Sequence, residues 1–240
     1  MLRSIIWYVK FVVTLIGKTP ALINSKRILK KYGQLACDKY MYEVTTKWAM
    51  ARIKDSGAQI TVYDQHRVPK DEPVLFVSNH QSDFDIAIFM AMIEKNTGFV
   101  AKIEMEKVPL LRSWMRGIHC VFMDRDNLKQ SLQTIIEGIN NLKAGYSMVV
   151  FPEGTRSKSR KMGLFKAGSF KLATKSKVPI VPVTIDGSYK IMEGNNYKIT
   201  PAIVKVFVHE PIYVKGMPKE EEADLPEQVR EIIKSGFKID

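Results

Sequence analysis

Cysteine is scarce in this sequence: Cys37 and Cys120 are the only two in 240 residues. A secreted disulfide scaffold needs more bridging partners, and no Cys/His grouping has the spacing of a zinc site. Both classes are excluded. No uninterrupted apolar run reaches the roughly 20 residues that cross a bilayer perpendicularly. The longest apolar segment, Ser4–Gly17 (SIIWYVKFVVTLIG), carries Lys10 in its middle. No small-x-small cleavage site follows it, so the segment does not read as a secretory signal. No serine stands in a G-x-S-x-G elbow, which argues against a serine lipase. Internal repeats and low-complexity linkers are also missing.

What remains is an ordinary globular balance, 45% hydrophobic and 26% charged, which excludes disorder and leaves room for one domain with a sizeable core. Lys and Arg number 37 against 25 Asp and Glu, a net charge of +12. The excess is local. Residues 1–37 hold seven cations and no acid, and residues 154–185 hold eight and no acid. Elsewhere 22 basic residues face 25 acidic ones. The first field is interleaved with Trp7, Tyr8, Phe11 and branched aliphatics. A helix of this kind suits an anionic membrane surface, with Lys10 snorkelling and Lys26, Arg27, Lys30 and Lys31 meeting headgroups. A helix packed on the protein's own core is the competing reading of the apolar stripe; seven cations without an anion favour the membrane. Neither field carries a recognition-helix, finger or RNA-recognition pattern, so no nucleic-acid partner is expected.

Residues 1–55 read as a two-helix membrane-docking extension, broken at or near Lys18-Thr19-Pro20 and with Gln34–Ile53 as its second helix, and residues 56–240 as a second unit. There short apolar runs alternate with helical periodicity. Strands are expected at Gln59–Tyr63, Val74–Ser78, Gly98–Ala101, His119–Met123, Ser147–Phe151, Ile180–Ile185 and Ile203–Val208. Helices are expected at Asp83–Ile93, Glu106–Met115, Leu128–Leu142, Lys166–Ser176 and Pro226–Phe237, with Lys215–Leu225 as a polar surface segment. This alternation predicts an α/β domain around a mixed, largely parallel sheet flanked by helices.

Three histidines have an aspartate five residues on: His66/Asp71, His80/Asp85 and His119/Asp124. Context separates them. Along a strand, His119 and Asp124 would face opposite ways, roughly 16 Å apart. His66 and Asp71 enclose a proline-bearing loop with nothing to hold them. His80 instead ends the apolar run Val74–Val77, and Gln81-Ser82-Asp83 supply a helix entry. A strand turning sharply into a helix can return residue 80 over residue 85, the geometry of a general base and its orienting carboxylate. Phe151-Pro152-Glu153-Gly154-Thr155-Arg156-Ser157 also follows an apolar strand, with Gly154 permitting close backbone approach and Arg156 offering a fork for an anion. Lys102 and Arg125 lie just beyond two further strands. If these strands share a direction, all four ends meet at one rim, where open α/β sheets bind ligands. Cys120, inside an apolar run, reads as a buried, inert thiol.

Taken together, these segments resemble the glycerolipid acyltransferases of the lysophosphatidic acid (PlsC-like) type, over roughly residues 74–185. Asn79–Asp85 (NHQSDFD) matches the family's NHxxxxD motif, Gly117–Arg125 its second block, Phe151–Ser157 its FPEGTRS block and Val178–Val183 its VPxxPV block. Ala101–Glu104 is similar to its lysine-bearing segment, whereas Arg112 stands where the family has glycine. The resemblance implies acyl transfer from a coenzyme A or acyl-carrier-protein thioester to the hydroxyl of lysophosphatidic acid, giving phosphatidic acid. It casts His80 and Asp85 as catalytic, with Lys102, Arg125, Glu153, Gly154, Thr155 and Arg156 around the acceptor. It implies neither a metal nor a bound cofactor, and a place on the cytoplasmic face of the cell membrane. Another lysophospholipid or glycerol 3-phosphate as acceptor, and a non-catalytic membrane-binding protein, are the alternatives.

Overall fold

The computed structural model describes residues 1–238. Seven strands form one sheet in the order β1-β7-β6-β2-β5-β3-β4. They are β1 (Gln59–Tyr63), β2 (Leu75–Ser78), β3 (Thr97–Lys102), β4 (Val121–Met123), β5 (Ser147–Val150), β6 (Ile180–Asp186) and β7 (Ile203–Val208). From β6 through β2, β5 and β3 to β4 every pairing is parallel; β7 runs antiparallel to β6 and carries β1 parallel on its outer edge. The mixed, largely parallel sheet is therefore as expected. The carboxyl ends of five strands share one rim, and the helices cover both faces.

Alternation along the central strands decides which residues face which layer. Phe76 and Val149 join a core with Ile88, Phe89 and Phe99, under α4 (Phe84–Met92). Leu75, Val77 and Met148 face the other way. They meet α6 (Leu128–Lys143), α7 (Lys171–Ser176) and α8 (Lys219–Ser235) through Leu142, Leu172, Leu225 and Val229. Phe76 and Phe89 are fully buried and edge-to-face at 5.7 Å. Each such side chain stabilises the fold by roughly 1.5–3 kcal/mol.

The N-terminal segment departs from the expected break. Leu2–Gly17 (α1) and Thr19–Tyr32 (α2) are separated by one residue, Lys18, whose backbone stays right-handed helical. Pro20 falls in the first turn of α2, where its missing N–H costs nothing. The reversal comes later, at Gly33, whose φ of 83° is open to glycine, and α3 (Gln34–Ser56) then runs back along both helices. Trp7 Nε1 donates to the Arg52 carbonyl at 2.9 Å, and Trp48 Nε1 to Thr14 Oγ1 at 3.1 Å. Trp7, Leu22, Met41 and Ile53 belong to the same core as Phe76.

Four other boundaries move, one of them the start of α7, which opens at Lys171 after a 3-10 turn at Ala167–Phe170 and not at Lys166. Ile103–Lys107 is a 3-10 turn and α5 opens only at Pro109, running to Gly117. Strand β4 begins at Val121, not His119, which adopts φ 61° in the preceding turn. The segment read as polar surface starts α8, with Glu220, Glu221 and Glu222 in its first turn, favoured by the helix dipole, and Pro226 inside. Leu225, Val229 and Ile233 form its buried stripe.

Candidate active site

Strand β2 ends at Ser78, and Asn79 manages its parting from β6. The Asn79 amide donates to the Ile185 carbonyl at 2.8 Å and accepts from the Ile185 N–H at 2.9 Å, replacing the ladder where the strands separate. The chain then turns over the sheet edge into α4. Asp85 lies in the first turn of that helix, fully buried.

Its carboxylate is saturated. Oδ2 accepts from His80 Nδ1 at 2.8 Å, from the Gln81 N–H at 2.7 Å and from the Ser82 N–H at 2.9 Å. Oδ1 accepts from the Ser188 hydroxyl. A buried carboxylate is tolerated only with such partners. Because Nδ1 keeps its proton and donates it to Asp85 in a hydrogen bond, the His80 tautomer leaves Nε2 with its lone pair, and Nε2 has no hydrogen-bond partner among the described residues. His80 is 15% exposed, and its ring stacks on Phe151 with centroids 4.1 Å apart.

The two segments flanking this ring form one hydrogen-bonded unit although about 70 positions separate them. The His80 N–H donates to Glu153 Oε1 at 2.7 Å, and the Ser157 N–H donates to the His80 carbonyl at 2.8 Å. Glu153 Oε2 accepts from the Gly163 N–H at 2.7 Å. Burial pushes the Glu153 carboxyl up, opposed by the two backbone N–H groups that hold it. With each oxygen holding a backbone N–H, Glu153 staples its loop to His80 and Gly163.

Arg156 is also engaged. Its guanidinium bonds Asp83 and, at 3.1 Å, the buried carboxylate of Glu193. Glu193 further accepts from the Asp83 N–H at 2.8 Å and from the Ser82 hydroxyl. Thr155 is exposed beside it. Gly154 adopts φ 75°. Lys102 and Arg125 end adjacent strands, with Lys102 paired in register to Met123, and both are exposed. The rim thus gathers all the expected strand ends. His80, Asp85, Glu153 and Arg156 interlock directly or through shared partners. Lys102 and Arg125 make no hydrogen bond to the dyad, and Arg125 lines a small cleft with Phe151 and Gly154.

Ser188, Glu193 and Asn79's role in the scaffold were not read from the sequence. Ser188 had a usable signal, because it follows β6, a fifth strand whose carboxyl end joins the rim. Glu193 sits in a short turn, Glu193–Asn195, with no local pattern. The other histidine pairs also resolve. His119 Nε2 meets Asp38 of α3 at 2.8 Å and stacks on Tyr146, so it ties the N-terminal helices to the sheet's opposite end. Cys120 is buried, and its thiol is pushed up to about 12 by burial.

The acyltransferase family profile matches residues 59–186. A probable 1-acyl-sn-glycerol-3-phosphate acyltransferase of Mycoplasma pneumoniae is 35% identical over 189 residues, 77% of this chain and 69% of that protein. The chloroplastic 1-acyl-sn-glycerol-3-phosphate acyltransferase BAT2 of Brassica napus is 35% identical over 144 residues, 60% of this chain and 42% of that protein. The chain thus spans 42% to 69% of the length of these two relatives. The crystal structure of the 1-acyl-sn-glycerophosphate (LPA) acyltransferase PlsC from Thermotoga maritima superposes with a TM-score of 0.86 at 29% identity, covering 99% of this chain and 94% of that one. With the profile across its sheet and a relative matched along three quarters of its length, the chain belongs to the PlsC-like 1-acyl-sn-glycerol-3-phosphate acyltransferase family and is an acyltransferase.

Proposed function

We propose that the protein transfers a fatty acyl group from a thioester, carried by coenzyme A or an acyl carrier protein, to the free hydroxyl of lysophosphatidic acid, yielding phosphatidic acid. The observation that carries this reading is the buried Asp85 accepting from His80 Nδ1 at 2.8 Å, which leaves Nε2 as a base at the rim. Nε2 takes the acceptor's hydroxyl proton as the oxygen attacks the thioester carbonyl. The tetrahedral oxyanion collapses, the C–S bond breaks, and the departing thiolate takes the proton from the imidazolium. Asp85 holds the tautomer and stabilises the transient positive charge. General-base assistance contributes about 10²–10⁴-fold, and positioning and oxyanion stabilisation supply the rest. The thioester is already activated, and the site chemistry calls for no acyl-enzyme. Lys102 and Arg125 at neighbouring strand ends suit the acceptor's phosphate, with Arg156, Thr155 and Gly154 shaping the loop beside it.

Residues 1–55 act in this reading as the membrane-docking unit and residues 56–240 as the acyltransferase domain. The helix Leu2–Tyr32 is long and apolar enough to cross a membrane by length and composition. Leu2, Ile5, Ile6, Val9, Val12, Val13 and Ile16 recur at helical spacing along α1 and are all exposed, whereas Trp7 packs inward. Next comes α2 with Lys26, Arg27, Lys30 and Lys31. An apolar stripe followed by cations suits anionic lipid, and the cytoplasmic face of the cell membrane is the side where a soluble thioester reaches the rim.

The test is acyl transfer from labelled long-chain coenzyme A and carrier-protein thioesters to lysophosphatidic acid in anionic vesicles, for wild type and His80→Ala. Phosphatidic acid formed by wild type and lost in the variant supports donor class, acceptor and base together. Full activity in His80→Ala removes the dyad from the chemistry. Turnover of lysophosphatidylcholine or glycerol 3-phosphate in place of lysophosphatidic acid replaces the acceptor and retains the mechanism.

A further inference from the structure

The cleft that Arg125 lines has in its wall Phe151, the ring on which His80 stacks, and Lys166 lines it too. Resting on the acceptor reading above, we infer that Lys166 binds the phosphate monoester of the acceptor together with Arg125. Selectivity for a phosphate-bearing acceptor is then read on the α6–α7 side of the Phe151 ring.

Three observations converge on Lys166. Its stem fills the space that Gly154 leaves: a Cβ on Gly154 would come within 3.1 Å of Lys166 Nζ and 3.2 Å of its Cε. Glycine at 154 therefore serves the loop twice, by accepting φ 75° and by letting the lysine lie across it. The backbone is held as well, since the Lys166 N–H donates to the Pro152 carbonyl at 3.0 Å. The ammonium is thus delivered beside the loop that carries Glu153 and Arg156.

Charge is the third observation. Arg156 already faces two carboxylates, Asp83 and Glu193, which offset its charge toward a new anion. Lys166 and Arg125 make no ion pair among the described residues. Two uncommitted cations on one cleft form a site for a doubly charged phosphate. Phe151 links the cleft to the dyad: one wall of the cleft is the ring that His80 stacks on. The basic character of residues 154–185, unexplained by the dyad, acquires a role at this position.

The experiment is steady-state acyl transfer by the full chain in vesicles, varying lysophosphatidic acid against a fixed thioester and the reverse. In Lys166→Gln the KM for lysophosphatidic acid rises roughly 10- to 100-fold, the size of a charged hydrogen bond. Preference over uncharged monoacylglycerol shrinks by a similar factor, the thioester KM holds, and Lys166→Arg recovers most of the loss. A second measurement uses wild type alone: lysophosphatidic acid protects Lys166 from acetylation by acetic anhydride, read by peptide mass spectrometry, and lysophosphatidylcholine does not. An unchanged acceptor KM in a folded Lys166→Gln, or absent protection, overturns the inference while wild-type turnover of lysophosphatidic acid leaves the proposed function intact. A rise confined to the thioester KM also overturns it and moves Lys166 to the donor. Failure of wild type on lysophosphatidic acid, by contrast, removes the acceptor reading itself.

Discussion

Asp85 holds His80 through one oxygen and Ser188 through the other, so the orientation of the imidazole depends on a residue more than 100 positions away. Ser188 is fully buried, and its loss leaves Asp85 Oδ1 without a donor. Ser188→Ala is expected to lower kcat roughly 5- to 100-fold, because an unsatisfied buried charge frees the carboxylate to turn from the imidazole. Substrate KM values should stay near wild type, and Ser188→Thr should retain more activity than Ser188→Ala. An equal loss in KM would point to general disruption instead. Cys120 gives the opposite kind of prediction. Its thiol is buried and pushed up to about 12, so the thiolate is negligible near neutral pH. Iodoacetamide at pH 8 should leave Cys120 unlabelled in the folded protein and label it in urea, measured by mass spectrometry. At this scale His80 and Asp85 were legible because both lie within one strand-to-helix turn. Glu193 was not, because its hydrogen bonds span more than 100 residues and no local pattern marks its turn; Ser188 could be placed at the rim by following β6, but its bond to Asp85 could not be read.

Strands β6 and β7 and helix α8 meet at a buried polar contact that is sensitive to pH. The Thr184 hydroxyl donates to the Ile233 carbonyl and so accepts from His209 Nε2 at 2.8 Å. Burial, and then the nearby Arg67 charge, lower the His209 pKa to about 4, with Asp64 opposing. The unfolded chain takes up this proton near pH 6.5 and the folded one only near 4. The stabilisation is therefore present above 6.5 and lost progressively as pH falls toward 4. Urea midpoints at pH 7 and pH 5 should decline in wild type and decline less in His209→Gln. Element boundaries were predictable where apolar periodicity was strong, as in β1, β7 and α6. The start of α8 was missed because its first turn is acidic and polar, and helix there is supported by the dipole and by Leu225, Val229 and Ile233 anchoring the following turns.

On the scale of the whole molecule, the N-terminal helices present an apolar and cationic surface beside the α/β core, which the proposed function assigns to the membrane. The exposed α1 stripe and the cationic α2 are successive parts of one nearly continuous helix, and α3 fastens both to the α/β core. Ile5→Glu combined with Val9→Glu and Val13→Glu should abolish most co-sedimentation with anionic vesicles while leaving the melting temperature within a few degrees, because these side chains face outward. Raising salt should weaken binding of the wild type, through screening of Lys26, Arg27, Lys30 and Lys31. Salt-independent binding would assign the attachment to the apolar stripe alone.

Legible along the chain were the α/β class, the His80–Asp85 pairing, the rim of strand ends and the cationic, apolar N-terminal segment. Each of these is written in local patterns: period-2 runs, a strand running into a helix cap, charge clustered without counter-charge. Packing in three dimensions set what those patterns are wired to. Glu153 became a staple across His80 and Gly163, Arg156 became tied to Glu193, and the hairpin reversed at Gly33 instead of at proline. Proline in a first helical turn is compatible with helix, so the chain continued through it, whereas only packing of α3 against the core required a reversal. Hydrogen bonds between distant segments obey geometry in space and leave no periodicity along the chain, which is why these contacts could be seen only once the chain had folded.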